Sequence, residues 1–496
     1  MACMELSLTR HSLYILNFRL FYGDHVMKKA IKLISFFIIT ILVLARVYHI
    51  LSWKDTYGNY VSSVQQLRST PKNTIDVVFA GSSHCYAGIN PDVLWDYYGI
   101  SAFDMAISGQ DRSSTYHYVK EVCKTQNPKV VFVDLYGATF DRHAVQGNVY
   151  RNMLSMPLSR NSIDLIYSYV EEDQMDYVLK WPIVHTRYRE LENYDFYQYP
   201  YSTYGRGYMY NYDVWPVDHD YEMAMNTAIT EISDENRQWI DNLCELSQQE
   251  SFDIYFMTLP METTEEEKMI FNGIYKYLDE ENIPYIDFGD LESTIGLYYG
   301  SDFSDPTHLN TFGAEKLSRS IGSILEEKYD LEDHRGDSRY SLWDKSLLYG
   351  QHRYYSDIMQ GRVDIDAFTS WLKGYDNCYV ILATCSGYRD GQEDIAGALN
   401  NFGLTNADYE NGGIWIFEDG ELVKALSKEP DEYNRDLDSY TTLHIDTDKE
   451  SQNPIIEINE ENVLTTDYGL NIIVYDKILG NVVDIRSYQD QVEFGY

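Results

Sequence analysis

Two stretches far apart in the chain carry residue types suited to acyl chemistry. The first is DVVFAGSSHCYAGINP, Asp76 to Pro91, where Ser82, Ser83 and His84 follow an apolar run. A serine hydroxyl is a weak nucleophile until a neighbouring base takes its proton. The second, SDFSDPTHLNTFGAEKLS from Ser301 to Ser318, offers that base in His308, with Asp305 three residues before it. One turn can then bring the imidazole to a hydroxyl while the carboxylate fixes its tautomer and stabilises the imidazolium. Asp302 is a second carboxylate near the same turn and the less favoured orienter. His84 adjoins the serines, but its side chain is expected to point away from that of Ser83, so no catalytic part is assigned to it.

No metal or cofactor is expected. The six cysteines, at positions 3, 85, 123, 244, 378 and 385, have no paired spacing. DTDKESQNPIIE, Asp446 to Glu457, has carboxylates at calcium-loop positions 1, 3, 5 and 12 but lacks the glycine at position 6 and carries Pro454. A solvated loop is the expectation there.

The elements that must position the serine and histidine follow from short apolar runs alternating with helical patterns, which predict an α/β fold with a parallel sheet. Strands are expected at Ile75–Phe79, Ala102–Ile107, Val130–Leu135, Asp253–Leu259 and Tyr285–Asp287. Asn90 with Pro91 marks one helix start and Asn310 another. In an open parallel sheet ligands bind beyond the carboxyl ends of the strands, and Gly81-Ser82-Ser83-His84 lies just past one. Residues 141–232 interrupt the rhythm; Tyr188 to Tyr221 holds twelve aromatics in 34 residues with no steady period. Such a stretch either packs on itself or forms a sugar-stacking wall, with Tyr204, Tyr208 and Trp215 as candidate substrate contacts. From about Asp337, after the polar EDHRGDSR, the chain turns β-rich and reads as a separate α+β domain spanning 337–496.

The formal net charge of −39 opposes binding to a phosphate backbone, so nucleic acid is not an expected partner. Near the N-terminus, Lys28, Lys29 and Lys32 precede the uncharged run Leu33–Ala45. No small-residue cleavage site follows, so residues 27–51 read as an uncleaved signal anchor. Positive charge ahead of the run places the N-terminus in the cytoplasm and everything after Trp53 outside the cell. Residues 1–26 read as an extension upstream of the natural start, Met27.

Four short blocks resemble the SGNH (GDSL-like) hydrolase superfamily, the resemblance running from about residue 72 to 330 within a domain expected over residues 52–335. GSSH matches the nucleophile block, and the resemblance puts that role on Ser83. FDMAISGQD, Phe103 to Asp111, matches the second block, which implies an oxyanion hole built from the Ser83 and Gly109 amides. DPTHLN with GAEKLS matches the final Asp-x-x-His block. The third block departs: where the family has Gly-x-Asn-Asp, this chain has Gly137, Ala138 and Thr139 without an asparagine. The pattern is similar to the branch of alginate O-acetyltransferases and the D-alanyl transfer protein of teichoic-acid modification. Residues 337–496 resemble the interleukin-like EMT-inducer (PANDER-like) domain, with Gly469 to Asp476 as its most specific run. Together these resemblances imply acyl transfer, most simply of acetyl, to a cell-surface polysaccharide or teichoic-acid-like polymer, in company with a membrane-bound O-acyltransferase. The alternatives are a carbohydrate esterase and a catalytically degenerate glycan-binding scaffold.

Overall fold

The computed structural model describes residues 24–52, 62–139, 153–154, 156–191, 193–196, 204–220, 223, 225–289, 292–361, 364–385, 393–427, 430–447, 453–464, 469–489 and 492–495. The chain divides into two compact units, one of residues 1–54 with 175–196 and one of residues 55–174 with 197–496. The tyrosine-rich insertion is therefore shared between them.

The smaller unit is built on α1, Asp24–Leu51, whose stretch Met27–Leu51 is long and apolar enough to cross a membrane. Residues Leu33 to Leu44 leave their large apolar side chains exposed, as a lipid-facing helix would.

The larger unit begins with a parallel sheet of five strands, β1 Val77–Gly81, β2 Ala102–Ala106, β3 Val130–Asp134, β4 Asp253–Thr258 and β5 Tyr285–Asp287, in the order 2-1-3-4-5. The first three are buried along their whole length, which is why they read as continuous apolar runs rather than alternating ones. The first strand lies two residues later than the apolar run suggests, because pairing continues through Gly81, opposite Ala106. Five helices are relevant to the sheet: α2 Ser83–Gly88, α3 Pro91–Tyr98, α4 Arg112–Val122, α5 Asp234–Glu250 and α6 Glu265–Glu280. A further helix, α7 Thr311–Lys328, supplies Leu317, Ile321 and Leu325 to a core shared with Phe79, Phe132 and Met257. Trp239 of α5 meets Phe256, the neighbour of Met257 on the opposite face, so helices cover both sides. Asn90 caps α3 by accepting from the Asp92 N–H at 3.0 Å, and Asn310 caps α7 by accepting from the Phe312 and Gly313 N–H groups at 3.1 Å.

The polar stretch Glu332 to Arg339 is held by its own ion pairs and by Asp76 ahead of β1. His334 Nε2 lies 2.6 Å from Asp76, and Arg335 and Arg339 pair with Asp333 and Asp337. Next comes α8, Ser341–Gln360. At its start the Trp343 indole donates to the Ala102 carbonyl at 3.1 Å and Asp344 accepts from Trp95 at 3.1 Å. Near its end His352 meets Asp476 at 2.7 Å.

Beyond α8, two helices, α9 Ile365–Leu372 and α10 Glu393–Asn401, cover one face of an antiparallel sheet. Its strands are β8 Cys378–Thr384, β9 Ile414–Glu418, β10 Glu421–Leu426, β15 Leu470–Asp476, β16 Asn481–Gln489 and β17 Val492–Gly495, in the order 10-9-8-15-16-17. The other face packs on a smaller sheet of β11 Glu432–Asp436, β12 Thr442–Asp446, β13 Ile455–Ile458 and β14 Glu461–Asn462. Strand periodicity divides the two cores: Val380 and Leu382 face the helices, Tyr379, Ile381 and Ala383 the small sheet. Asp446 and Glu457 fall on adjacent antiparallel strands of that sheet, while the middle of the loop between them lies outside the described residues.

Asp104 on β2 is fully buried, and neither of its carboxylate oxygens has a hydrogen-bond partner among the described residues. Burial pushes its pKa well above the usual carboxylate range, and the charge of Asp92 adds to the rise. The folded chain thus holds a proton that the unfolded chain releases above pH about 3.9, so this group makes stability fall as pH rises. Asp104→Asn is expected to raise the melting temperature at pH 8 relative to the parent, with the gain shrinking towards pH 4. Thermal melts across that range check this; a gain that grows as pH falls would contradict it.

Candidate active site

The site is assembled at the carboxyl edge of the parallel sheet. β1 runs into Gly81 and Ser82, and α2 starts at Ser83. Ser82 is fully buried and its hydroxyl lies 3.4 Å from Asp134 at the end of β3. Ser83, one residue on, is half-exposed and directs its Oγ to His308 Nε2 at 2.8 Å. The turn therefore separates the two serines, one pinned inward and one presented outward.

His308 comes from a two-stranded hairpin, β6 Phe303–Asp305 and β7 His308–Leu309. Asp305 and His308 pair across its turn, and the Asp305 carboxylate is the centre of the turn's hydrogen bonding. Its Oδ1 accepts from the Thr307 N–H at 2.8 Å, the Thr307 hydroxyl at 2.9 Å and the His308 N–H at 3.0 Å. Its Oδ2 lies 2.9 Å from His308 Nδ1. Burial alone would raise the Asp305 pKa, but the bonds from Thr307 and the charge of His308 outweigh it and hold the carboxyl below its ordinary range. An ionised carboxylate on Nδ1 leaves Nε2 free to accept the serine proton.

Asp302 does not join this group. It is 1% exposed, accepts from the Tyr298 N–H at 2.7 Å and pairs with Lys316 at 2.6 Å. His84 is 4% exposed, its ring edge-on to Tyr136 at 4.0 Å and 4.9 Å from the His308 ring. Burial, helped by His308, pushes its pKa down to about 3, so it stays neutral and puts no second positive charge beside an imidazolium at His308.

Gly109 follows β2 with φ +66°, a conformation that favours glycine, two residues after Ile107, whose N–H bonds the Gly81 carbonyl at 3.3 Å. After β3, Leu135–Ala138 forms a short 3-10 turn; the Thr139 hydroxyl, where the SGNH pattern has asparagine, donates to the Tyr136 carbonyl at 2.8 Å.

Of the three aromatic candidates, Tyr208 is 4% exposed and bonds Thr311 through its hydroxyl, while Tyr204 is half-buried against Tyr349. Trp215 is 60% exposed. Its backbone belongs to a strap beside the histidine hairpin: the Trp215 N–H bonds Phe303 O at 2.9 Å, Val217 N–H bonds Tyr299 O at 2.8 Å, and Asn310 holds Asp213 O at 3.0 Å.

Two features gave no sequence signal. One is Asp134, which also caps the Tyr136 N–H at 3.1 Å; its pKa is pushed up to about 7 by burial, against hydrogen bonds from Tyr136 and Ser82. The other is a cleft of about 470 Å³, its open mouth included, lined by His219, Glu262, Lys268, Phe271, Tyr275 and Asp287 among others. It lies beyond the ends of β4 and β5, and the Glu262 N–H bonds the Pro306 carbonyl of the histidine hairpin at 2.9 Å. A strand spacing of about 4.8 Å puts β4 roughly 10 Å across the sheet from β1. These lining residues come from four separate segments with no spacing that links them.

The parallel sheet and its flanking helices form an α/β domain, with a serine, a histidine and an aspartate in hydrogen-bonding sequence at its carboxyl edge. No protein-family model and no curated protein sequence matches the chain. Solved structures to which it is similar include a GDSL-like lipase from Bacteroides thetaiotaomicron, at 12% identity and a TM-score of 0.29, covering 55% of this chain and 98% of that one. Others are a protein assigned as an acylhydrolase from Bacteroides fragilis, at 13% identity and TM-score 0.29 over 55% of this chain and 99% of that one, and one assigned as a lipolytic protein of the G-D-S-L family from Desulfitobacterium hafniense, at 13% identity and TM-score 0.28 over 51% and 100%.

Proposed function

We propose that this protein forms an acyl-enzyme on Ser83 and passes the acyl group, most simply acetyl, to a hydroxyl of an extracytoplasmic polysaccharide. The observation that carries the reading is the alignment of Ser83 Oγ, His308 Nε2, His308 Nδ1 and Asp305 Oδ2, with contacts of 2.8 and 2.9 Å. His308 takes the Ser83 proton as Oγ attacks the donor carbonyl, then returns it to the leaving group. In the second half it deprotonates the acceptor hydroxyl, which attacks the acyl carbon and frees Ser83. The Ser83 and Gly109 amides serve the oxyanion.

Transfer outruns hydrolysis only when the acceptor is held close and water is kept from the acyl-enzyme. Trp215 and the cleft past β4 and β5 offer an acceptor a stacking face and hydrogen-bonding walls. Pairing of Glu262 with His219 and of Asp287 with Lys268 leaves the cleft little positive charge, and the net charge of −39 also disfavours a polyanion. A polysaccharide of low anionic charge is the acceptor class this supports. The C-terminal domain is assigned to holding that polymer.

The deciding experiment incubates the protein with an acetyl donor and candidate glycans. Acetylated sugar supports transfer; free acetate alone at every acceptor concentration assigns an esterase; neither product, with no fluorophosphonate labelling of Ser83, leaves a glycan-binding scaffold. Trp215→Ala is expected to lower the ratio of sugar ester to acetate about tenfold.

A further inference from the structure

The uncharged run of α1, Leu33–Ala45, has 13 residues, about 20 Å of helix, against a hydrocarbon core about 30 Å thick. Arg46 follows at once, and a charge at that depth requires a partner. The structure supplies one from a distant part of the chain: Arg46 Nη2 donates to the Phe196 carbonyl at 3.3 Å. The end of the helix is held in the same way. Arg187 Nη1 donates to the Leu51 and Ser52 carbonyls at 3.1 and 2.7 Å, and Nη2 grips Asp195 at 3.0 and 3.1 Å. That ion pair is at most 5% exposed, and Tyr48 stacks on Trp181 with centroids 6.4 Å apart.

The segment satisfies its strongest charges inward and turns apolar groups outward. Met175 is 52% exposed, Leu179 59%, Trp181 39%, Tyr188 59% and Phe196 43%. Exposed apolar side chains concentrated in so short a stretch mark an interaction surface. Their continuity with the lipid-facing surface of α1 identifies what covers them, and tryptophan and tyrosine are the residues favoured at the membrane interface.

We propose that residues 175–196 lie in the outer-leaflet interface of the membrane that α1 spans and continue its lipid-facing surface past the 13-residue uncharged run, where Arg46 needs a partner. The proposal rests on α1 being a transmembrane helix and is independent of the acyl chemistry. The half-buried to exposed ionisable groups on the segment include Asp176, His185, Arg189 and Glu190, a nearly balanced set, so zwitterionic lipid suffices and no anionic headgroup is required. The remainder of the chain is joined to this membrane-bound unit at three places, Lys54–Asp55, Gln174–Met175 and Phe196–Tyr197.

The test uses the full chain in phosphatidylcholine vesicles that carry a photoactivatable diazirine on the acyl chain, with labelled peptides mapped by mass spectrometry. Peptides bearing Leu422 and Val423, exposed apolar residues of the C-terminal domain, set the background. Labelling of 175–196 about tenfold above that background, alongside labelling of 31–47, is the expected result. Labelling of 31–47 with 175–196 less than threefold above background overturns the proposal, and cross-linking of 175–196 to a second copy without lipid label would assign the face to self-association instead. Leu179→Asp with Phe196→Asp in the same chain is expected to cut the 175–196 label at least fivefold while leaving that of 31–47 in place.

Discussion

Ser83→Ala is expected to lower hydrolysis of a small acetyl ester by at least about 10³–10⁴-fold, His308→Ala by nearly as much, and the double change by no more than either alone. The near-equality follows from the geometry. With 2.8 Å between Ser83 Oγ and His308 Nε2, the proposed chemistry uses both groups in one proton transfer, so removing either should end it. Asp305→Ala should cost less, because the imidazole keeps its place on the hairpin and loses its orienting partner only. Steady-state rates on p-nitrophenyl acetate, with fluorophosphonate labelling as a count of live serines, provide the measurement. Additive losses in the double variant, or a Ser83→Ala protein retaining a tenth of the activity, would remove Ser83 from the chemistry.

Much of this arrangement could be read from residue types. The strands were legible because β1, β2 and β3 are buried on both faces and therefore apolar throughout. Asp305 and His308 were legible because a three-residue spacing is a local property of one turn, here the β6–β7 hairpin. Choosing Ser83 over Ser82 required a family resemblance, and the structure places them differently for a reason invisible in sequence: Asp134, 52 residues away, holds Ser82 inward. The cleft was illegible for a related reason. His219, Glu262, Lys268 and Asp287 meet only because a strap, two strand ends and a helix converge. Nor does aromatic count distinguish packing from recognition. Tyr208 and Trp215 come from one tyrosine-rich stretch, yet 4% and 60% exposure give them different surroundings.

Gly81 shows how narrowly the serine is placed. It ends β1 between β2 and β3, and a Cβ built there would lie 2.5 Å from the Cβ of Asp134, about 1 Å inside ordinary contact. Neither side can yield cheaply. The Gly81 carbonyl is bonded by Ile107, and Asp134 is fixed by the Tyr136 N–H and the Ser82 hydroxyl. Gly81→Ala should therefore push the turn outward by something near that 1 Å, enough to break a 2.8 Å contact between Ser83 and His308. A displacement of that size costs about 10²-fold in rate, and overpacking of this kind costs about 1–3 kcal/mol in stability. The expected result is a folded variant with kcat reduced about a hundredfold and a lower melting temperature. Because the clash is with a Cβ, Asp134→Ala should not relieve it, whereas Asp134→Gly should restore part of the lost rate when combined with Gly81→Ala. That rescue is the sharper measurement, since a merely destabilised protein would be made worse by a second glycine at a strand end. Full activity in Gly81→Ala would mean that β1 can shift without moving Ser83, and the serine's position would then be set by α2 rather than by the strand that leads into it.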